Sequence, residues 1–139
     1  MNDPFRILRE LNAGSFLRAY ERCTNPQDQG LGMPALMCAA FSAELGLKEL
    51  IRKFGGTVKK EHKYSDLLTL LPKQEVNAIL ADLKTRWTDL DSQMSKANNA
   101  FVEWRYFFEK RTPIEVNVKF VADFARVVLT RVGGACLAA

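Results

Sequence analysis

The stretch LPKQEVNAILADLKTRWTDLDSQMSKANNAFVEWRYFF, residues 71–108, decides the fold. Within it Val76, Leu80, Leu83, Trp87, Leu90, Met94, Ala97, Phe101, Trp104 and Phe108 alternate at four- and three-residue steps without a slip. That is the spacing of one helical face. No Gly or Pro stands between Lys73 and Thr112 to interrupt it. A single straight helix over this span would be about 50 Å long, whereas a compact domain of this size is about 35–40 Å across. The segment is therefore expected to form two helices that meet near Ser92 to Asn99. The alternative is a projecting helix whose stripe pairs with a second subunit.

Working outward, the same period recurs upstream. Leu36, Ala40, Ala43, Leu47, Ile51 and Phe54 predict a helix from Pro34 to Phe54, ended by Gly55-Gly56. Ala39, Ala43 and Gly46 run along a neighbouring line of that helix. Gly46 costs about 1 kcal/mol against Ala in a helix interior, so close approach of another backbone is expected there. Asp3-Pro4 reads as the start of a first helix carrying Phe5, Leu8 and Leu11. It breaks or kinks at Asn12 to Ser15 and resumes from Phe16 to Cys23. Thr24 to Gly32 reads as a loop, and Ser65 or Asp66 starts a short helical turn stopped by Pro72. Ile114, Val116, Val118 and Phe120 alternate like a strand, but no second strand is in view to pair with. That stretch is expected to be extended or irregular, followed by a helix from Val118 to Val132 ended by Gly133-Gly134. The fold class is thus all-α, a single-domain bundle of about five helices over residues 1–139.

Composition narrows function mainly by exclusion. At 15.7 kDa, with 47% apolar and 26% charged residues, the chain suits one soluble globular domain. No run approaches the ~18 apolar residues of a membrane span, and Met1-Asn2-Asp3-Pro4 lacks the character of a signal peptide. Cys23, Cys38 and Cys136 are odd in number and scattered. That argues against a zinc site or a disulfide framework and suits a reducing cytoplasm. There is one histidine, His62, so His-based triads and two-histidine metal sites are excluded. Serines lack a neighbouring base, no Gly-rich phosphate loop occurs, and no carboxylate cluster has metal-ligand spacing. No cofactor is implied. The net charge of +4 permits an anionic partner without demanding one. Much of it gathers between Lys48 and Lys63, where Arg52, Lys53, Lys59 and Lys60 also stand, against Glu49 and Glu61.

Three segments in order resemble the HEPN superfamily, helical domains of prokaryotic toxins, defence systems and RNA-processing proteins. Residues 33–51, MPALMCAAFSAELGLKELI, are similar to its "AELxLKxLI" helix. His62, followed by Asp66-Leu67-Leu68 and Leu70-Leu71-Pro72, is similar to its "HxL…DLL" segment. Phe101 to Glu109, FVEWRYFFE, is similar to the "RY" helix of one subgroup. The resemblance implies a four- or five-helix up-and-down bundle that often pairs into a dimer. In active members a late helix carries Arg, four to six residues, then His, and two chains bring these together to cut RNA without a metal. Here Arg105 is followed by YFFEKRT and no His appears. The one side chain suited to trading protons near neutral pH is missing from its place.

The candidate site residues carry two readings each. Asn98, Val102, Arg105 and Glu109 form one row on a helix, so Arg105 would hold a phosphate and Glu109 would act as base. The simpler reading is an i, i+4 ion pair on a helix face. Tyr106, beside Arg105, is a candidate for stacking on a base or a partner. His62 is either a catalytic group or a structural ring that closes its loop onto the bundle. Glu44 and Lys48 read as an ordinary helical ion pair. Arg52, Lys53, Lys59, Lys60 and Lys63 are candidate phosphate contacts or simply a solvated basic loop. The resulting expectation is a non-catalytic, dimerising HEPN-like module that binds a protein or RNA in a prokaryotic or phage defence or toxin–antitoxin setting. One alternative is a metal-independent ribonuclease using Arg105 with Glu109 or His62. Another is a phage-encoded inhibitor of a nucleoprotein defence complex.

Overall fold

A computed structural model describes residues 13–25, 32–58, 60, 62–105 and 116–137, without the side chains of 99–105 and 134–137. Six helices account for most of these: α1 (Ala13–Cys23), α2 (Gly32–Lys53), α3 (Tyr64–Leu68), α4 (Lys73–Lys84), α5 (Leu90–Arg105) and α6 (Val118–Leu137). Among the described residues there is no strand, and the chain is an all-α helical bundle as expected. The expected helix over Phe5 to Leu11 lies outside the described residues.

α2 is the axis of the bundle. Its apolar residues occupy more than one face and so must be covered from more than one side, and eleven residues of α2 are buried. α1 lies along one flank, α6 along another, and α3 and α5 also reach it. Ala39, Ala43 and Gly46 are all buried, so the small-residue line does mark a close approach. A Cβ on Gly46 would sit 3.0 Å from Val128 Cγ1 of α6 and 3.7 Å from Ala13 Cβ of α1. Beside this crossing the buried Ser42 hydroxyl donates to the Ala13 carbonyl at 2.7 Å.

α2 ends in a Schellman turn. Gly55 takes φ +78°, its N–H donates to the Arg52 carbonyl at 3.0 Å, and the Gly56 N–H donates to that of Ile51 at 2.9 Å. The reversal turns Phe54 outward, 50% exposed, although the spacing had placed it on the apolar stripe. The stripe belongs to the helix, and the helix stops one residue earlier.

The long periodic segment does divide, but at Thr85 to Asp89 rather than at Ser92 to Asn99. Thr85 folds its hydroxyl back onto the Asp82 carbonyl at 2.6 Å, competing with the helical ladder. The break preserves the seven-residue phase, so Leu83, Leu90 and Ala97 are all core residues, and Val76, Leu80, Trp87 and Met94 pack against them. Through Ala97 the stripe is therefore covered by its own chain rather than left for a second subunit. Phe101, Trp104 and Phe108 lie outside the described side chains. Trp87, in the break itself, sets its ring edge-on to Phe120 at 5.4 Å and donates its indole N–H to Asp123 at 3.0 Å.

α6 is the second core helix. Between Phe120 and Val128 only Arg126 escapes burial. Asn117 caps it, accepting from the Phe120 N–H at 3.2 Å, which explains why the strand-like alternation gives way at Val118. The helix runs through Gly133-Gly134 to Leu137 instead of ending there. Glycine weakens a helix interior without forbidding it. Near this end Arg131 grips Glu75 of α4 with both arms, at 2.6 and 2.7 Å, and Lys53 donates to the Val132 carbonyl at 2.6 Å. The Arg131 hydrogen bonds hold the Glu75 carboxyl below its ordinary pKa, against the opposing effect of burial.

Two outcomes follow from this packing. Gly46→Leu forces atoms into the α1–α2–α6 crossing and is expected to cost about 2–3 kcal/mol in urea denaturation. Arg131→Ala is expected to cost about 1–2 kcal/mol, the Arg side chain being 42% exposed. Because the folded pKa of Glu75 is depressed, its stabilisation is complete above the ordinary carboxylate range. It vanishes as pH falls through the lower folded value. Urea midpoints measured against pH should therefore show a shallower acid limb in Arg131→Ala.

Candidate functional site

The chemistry-bearing residues meet where the His62 loop returns to α2. Glu44 and Lys48 stand one turn apart on α2, and the Lys48 ammonium lies 3.3 Å from Glu44 Oε1. His62, leaving the loop, brings Nδ1 to 2.6 Å from the same oxygen. Glu44 is 3% exposed, so its carboxylate is one of the few charges inside the bundle. A charge in that position requires partners of opposite sign or N–H donors. It has both. In the neutral ring, donation from Nδ1 leaves Nε2 as the acceptor nitrogen.

Tyr64 follows two residues later, at the start of α3. Its ring is buried edge-on against Phe124 at 5.1 Å, and its hydroxyl donates to the Ala40 carbonyl at 3.0 Å. Burial first, then the Glu44 charge, pushes the phenol well above its ordinary pKa. It therefore serves as a fixed donor, not a proton shuttle. Next along, the Ser65 N–H donates to Asn98 Oδ1 and the Asn98 amide donates to the Ser65 hydroxyl, each at 2.9 Å. This reciprocal pair ties α3 to α5.

The structure thus joins some of the expected residues and separates others. His62 closes its loop onto α2 through a ring hydrogen bond, and Glu44–Lys48 is the ion pair read from their spacing. Arg52, Lys60 and Lys63 are exposed around the same loop. Lys53 is tied down by its bond to Val132. Lys59, Tyr106 and Glu109 lie outside the described residues, and Arg105 is the last residue of α5 with its side chain outside that description.

A second polar cluster escaped the sequence. Asp123 of α6 accepts from Trp87 and, at 3.0 Å, from Arg126, with Arg86 at 3.9 Å. Arg126 also reaches Glu21 at 3.6 Å and lies 5.8 Å from the centre of the Tyr20 ring, linking α6 to α1. The one available signal was that a buried tryptophan needs an acceptor. A cleft of about 340 Å³ opens beside it, lined by Lys84, Trp87 and residues 88–92. Neither His62 nor Glu44 borders it, and neither borders a second cleft of about 400 Å³ lined by Gln93, Lys96 and residues 116–118. Among the described residues no His, Cys, Asp and Glu side chains gather into a metal-binding group, and no helix is long and apolar enough to cross a membrane. No protein-family model, curated protein or solved structure matches this chain.

The Glu44–His62 contact predicts a measurable coupling. A double-mutant cycle on Glu44→Gln and His62→Ala is expected to return an interaction energy of about 1 kcal/mol from chemical denaturation. Additive losses would mean that the two side chains act independently.

Proposed function

We propose that this chain is a non-catalytic, HEPN-like interaction module of the prokaryotic cytoplasm that binds RNA through the exposed cations around the His62 loop. The carrying observation is the use made of the lone imidazole. His62 donates to a buried carboxylate that also holds Lys48, so the ring is engaged in closing its loop onto α2. Arg52, Lys60 and Lys63 remain exposed at the rim. Separated cations, Arg52 at the end of α2 and Lys60 and Lys63 beyond it, suit the spaced phosphates of a single strand. The resemblance read from residues 33–109 points the same way, and with it come a homodimer and a role in defence or toxin–antitoxin systems.

A ribonuclease is the second reading, favoured by one observation. The Asn98–Ser65 pair fastens α5 to the segment that carries His62, and Arg105 follows Asn98 by two turns, about 10 Å along the helix. Arg105 with Glu109 or His62 would then be the reactive set.

Labelled single-stranded RNA separates these readings. Binding is expected at low salt, falling steeply as salt rises, with the RNA left intact. Replacing Arg52, Lys60 and Lys63 by Ala together is expected to weaken binding about tenfold or more and to flatten the salt dependence. Absence of binding at low salt, or binding indifferent to the triple variant, would overturn the proposal. Cleavage that disappears in Arg105→Ala would establish the ribonuclease instead.

A further inference from the structure

α2 and the loop that follows it carry a line of cations with an aromatic ring at one end. Glu44, Lys48 and Arg52 stand four residues apart and so share one row of α2. His62 meets that row at Glu44, with Nδ1 2.6 Å from the carboxylate. Glu44 precedes Phe54 by ten residues, about 15 Å of helix. The chain leaving Phe54 must therefore double back along α2 to bring His62 there. Lys60 and Lys63, on either side of His62, are exposed, as is Arg52 nearer the turn. Positive charge is thus spread along the side of α2 rather than gathered at a point.

Phe54 stands at the foot of this line and is 50% exposed. Among the described aromatic residues it alone is on the surface: Tyr20, Tyr64, Phe120 and Phe124 are buried, and Phe16, Phe41 and Trp87 pack against other rings. Its backbone is held in place. The Phe54 N–H donates to the Leu50 and Ile51 carbonyls, each at 3.2 Å. A Cβ on Gly56 would lie 2.8 Å from Ile51 Cγ2 and 3.7 Å from the Leu70 carbonyl oxygen, so the turn is seated against α2 and the segment after α3. Leu70, 40% exposed, adds a second apolar side chain beside this turn. A lone exposed Phe is ordinary on a protein surface. One fixed at the end of a line of cations supplies both parts of a single-strand site, because phosphates follow the charges and a base lies on the ring. An anionic membrane would take apolar groups and charges at one depth, whereas here the charges lead away from the ring along α2.

We propose that Phe54 is a base-stacking residue: an unpaired base of single-stranded RNA lies on its ring while neighbouring phosphates meet Arg52, Lys60 and Lys63. This rests on the reading of the chain as an RNA-binding module and adds to it a requirement for accessible bases. Every base has a π-face, so such a site takes single strands without a strict sequence. The ring carries no charge and releases no counterions on binding, so its contribution separates from that of the cations by salt dependence.

The test measures binding of the full chain to a short labelled oligoadenylate, and to an abasic strand of the same length, across a salt series. Phe54→Ala is expected to weaken oligoadenylate binding about tenfold. The slope of log affinity against log salt should stay as it is in the unaltered chain. Phe54→Trp should bind as tightly as the unaltered chain, and Phe54→Leu, apolar without a flat ring, should resemble Phe54→Ala. On the abasic strand the unaltered chain and Phe54→Ala should bind alike. If Phe54→Ala holds oligoadenylate as tightly as the unaltered chain while the triple variant of Arg52, Lys60 and Lys63 loses affinity, the stacking role is overturned and the RNA reading stands. Failure of the unaltered chain to bind RNA at low salt would overturn both. Phe54-dependent capture by vesicles of anionic lipid, with RNA binding indifferent to Phe54, would overturn the stacking role in favour of a membrane. Helical circular dichroism verifies the fold of each variant, so a lost fold cannot imitate a lost platform.

Discussion

Everything in this bundle depends on a side chain that is not there. At Gly46 three helices meet within van der Waals distance, and α2 can be covered by α1 and α6 at the same level only because nothing projects from that residue. Val128 is branched at Cβ and fully buried, so it has little freedom to move aside. The helix propensity lost by placing glycine in a long helix is offset by the apolar area that the close approach covers. Ser42, one turn earlier, completes the junction with a hydrogen bond to a backbone carbonyl of α1. Shape and polarity thus agree at one point, and the remaining helices are arranged around it.

The polar groups inside the bundle follow a common rule. Glu44, Glu75 and Asp123 are the buried carboxylates among the described residues, and each is held by donors from a different segment of the chain. Glu44 fastens the His62 loop to α2, Glu75 fastens α4 to α6, and Asp123 fastens the Trp87 corner to α6. Removing one partner would strand a buried charge, so each contact specifies a docking position more than it adds net stability. These three buried carboxylates are thus occupied in assembling the fold.

Local signals in the sequence carried most of the fold and little of the site. The line of Ala39, Ala43 and Gly46 announced the close crossing, and Gly55-Gly56 announced the end of α2, because each is a property of one helix. The break at Thr85 to Asp89 was misplaced, since it falls where the apolar period continues unbroken and no glycine or proline marks it. Its cause, a threonine hydroxyl turned back onto Asp82, is a choice between two bonds that the spacing alone does not settle. Gly133-Gly134 erred the other way, as a stop signal that the helix ignores. The Glu75–Arg131 clamp spans 56 positions and has no sequence period, because it is created by the docking of one helix on another. His62 was readable in part: a lone imidazole near a helix carrying Glu44 and Lys48 has few other partners to seek.

The contacts of α6 have a further meaning when taken in order along the helix. Phe120 and Asp123 receive Trp87, Phe124 receives Tyr64, Val128 receives Gly46, Arg131 receives Glu75, and the Val132 carbonyl receives Lys53. Nearly every earlier helix finds its decisive partner on a segment that the ribosome adds after them. Of the described parts, the α1–α2 hairpin and the contacts of α3 with α2 and α5 involve only residues made before residue 118 emerges. The face of α2 that α6 covers and the Trp87 corner have to wait for α6, the last of the described helices to be synthesised.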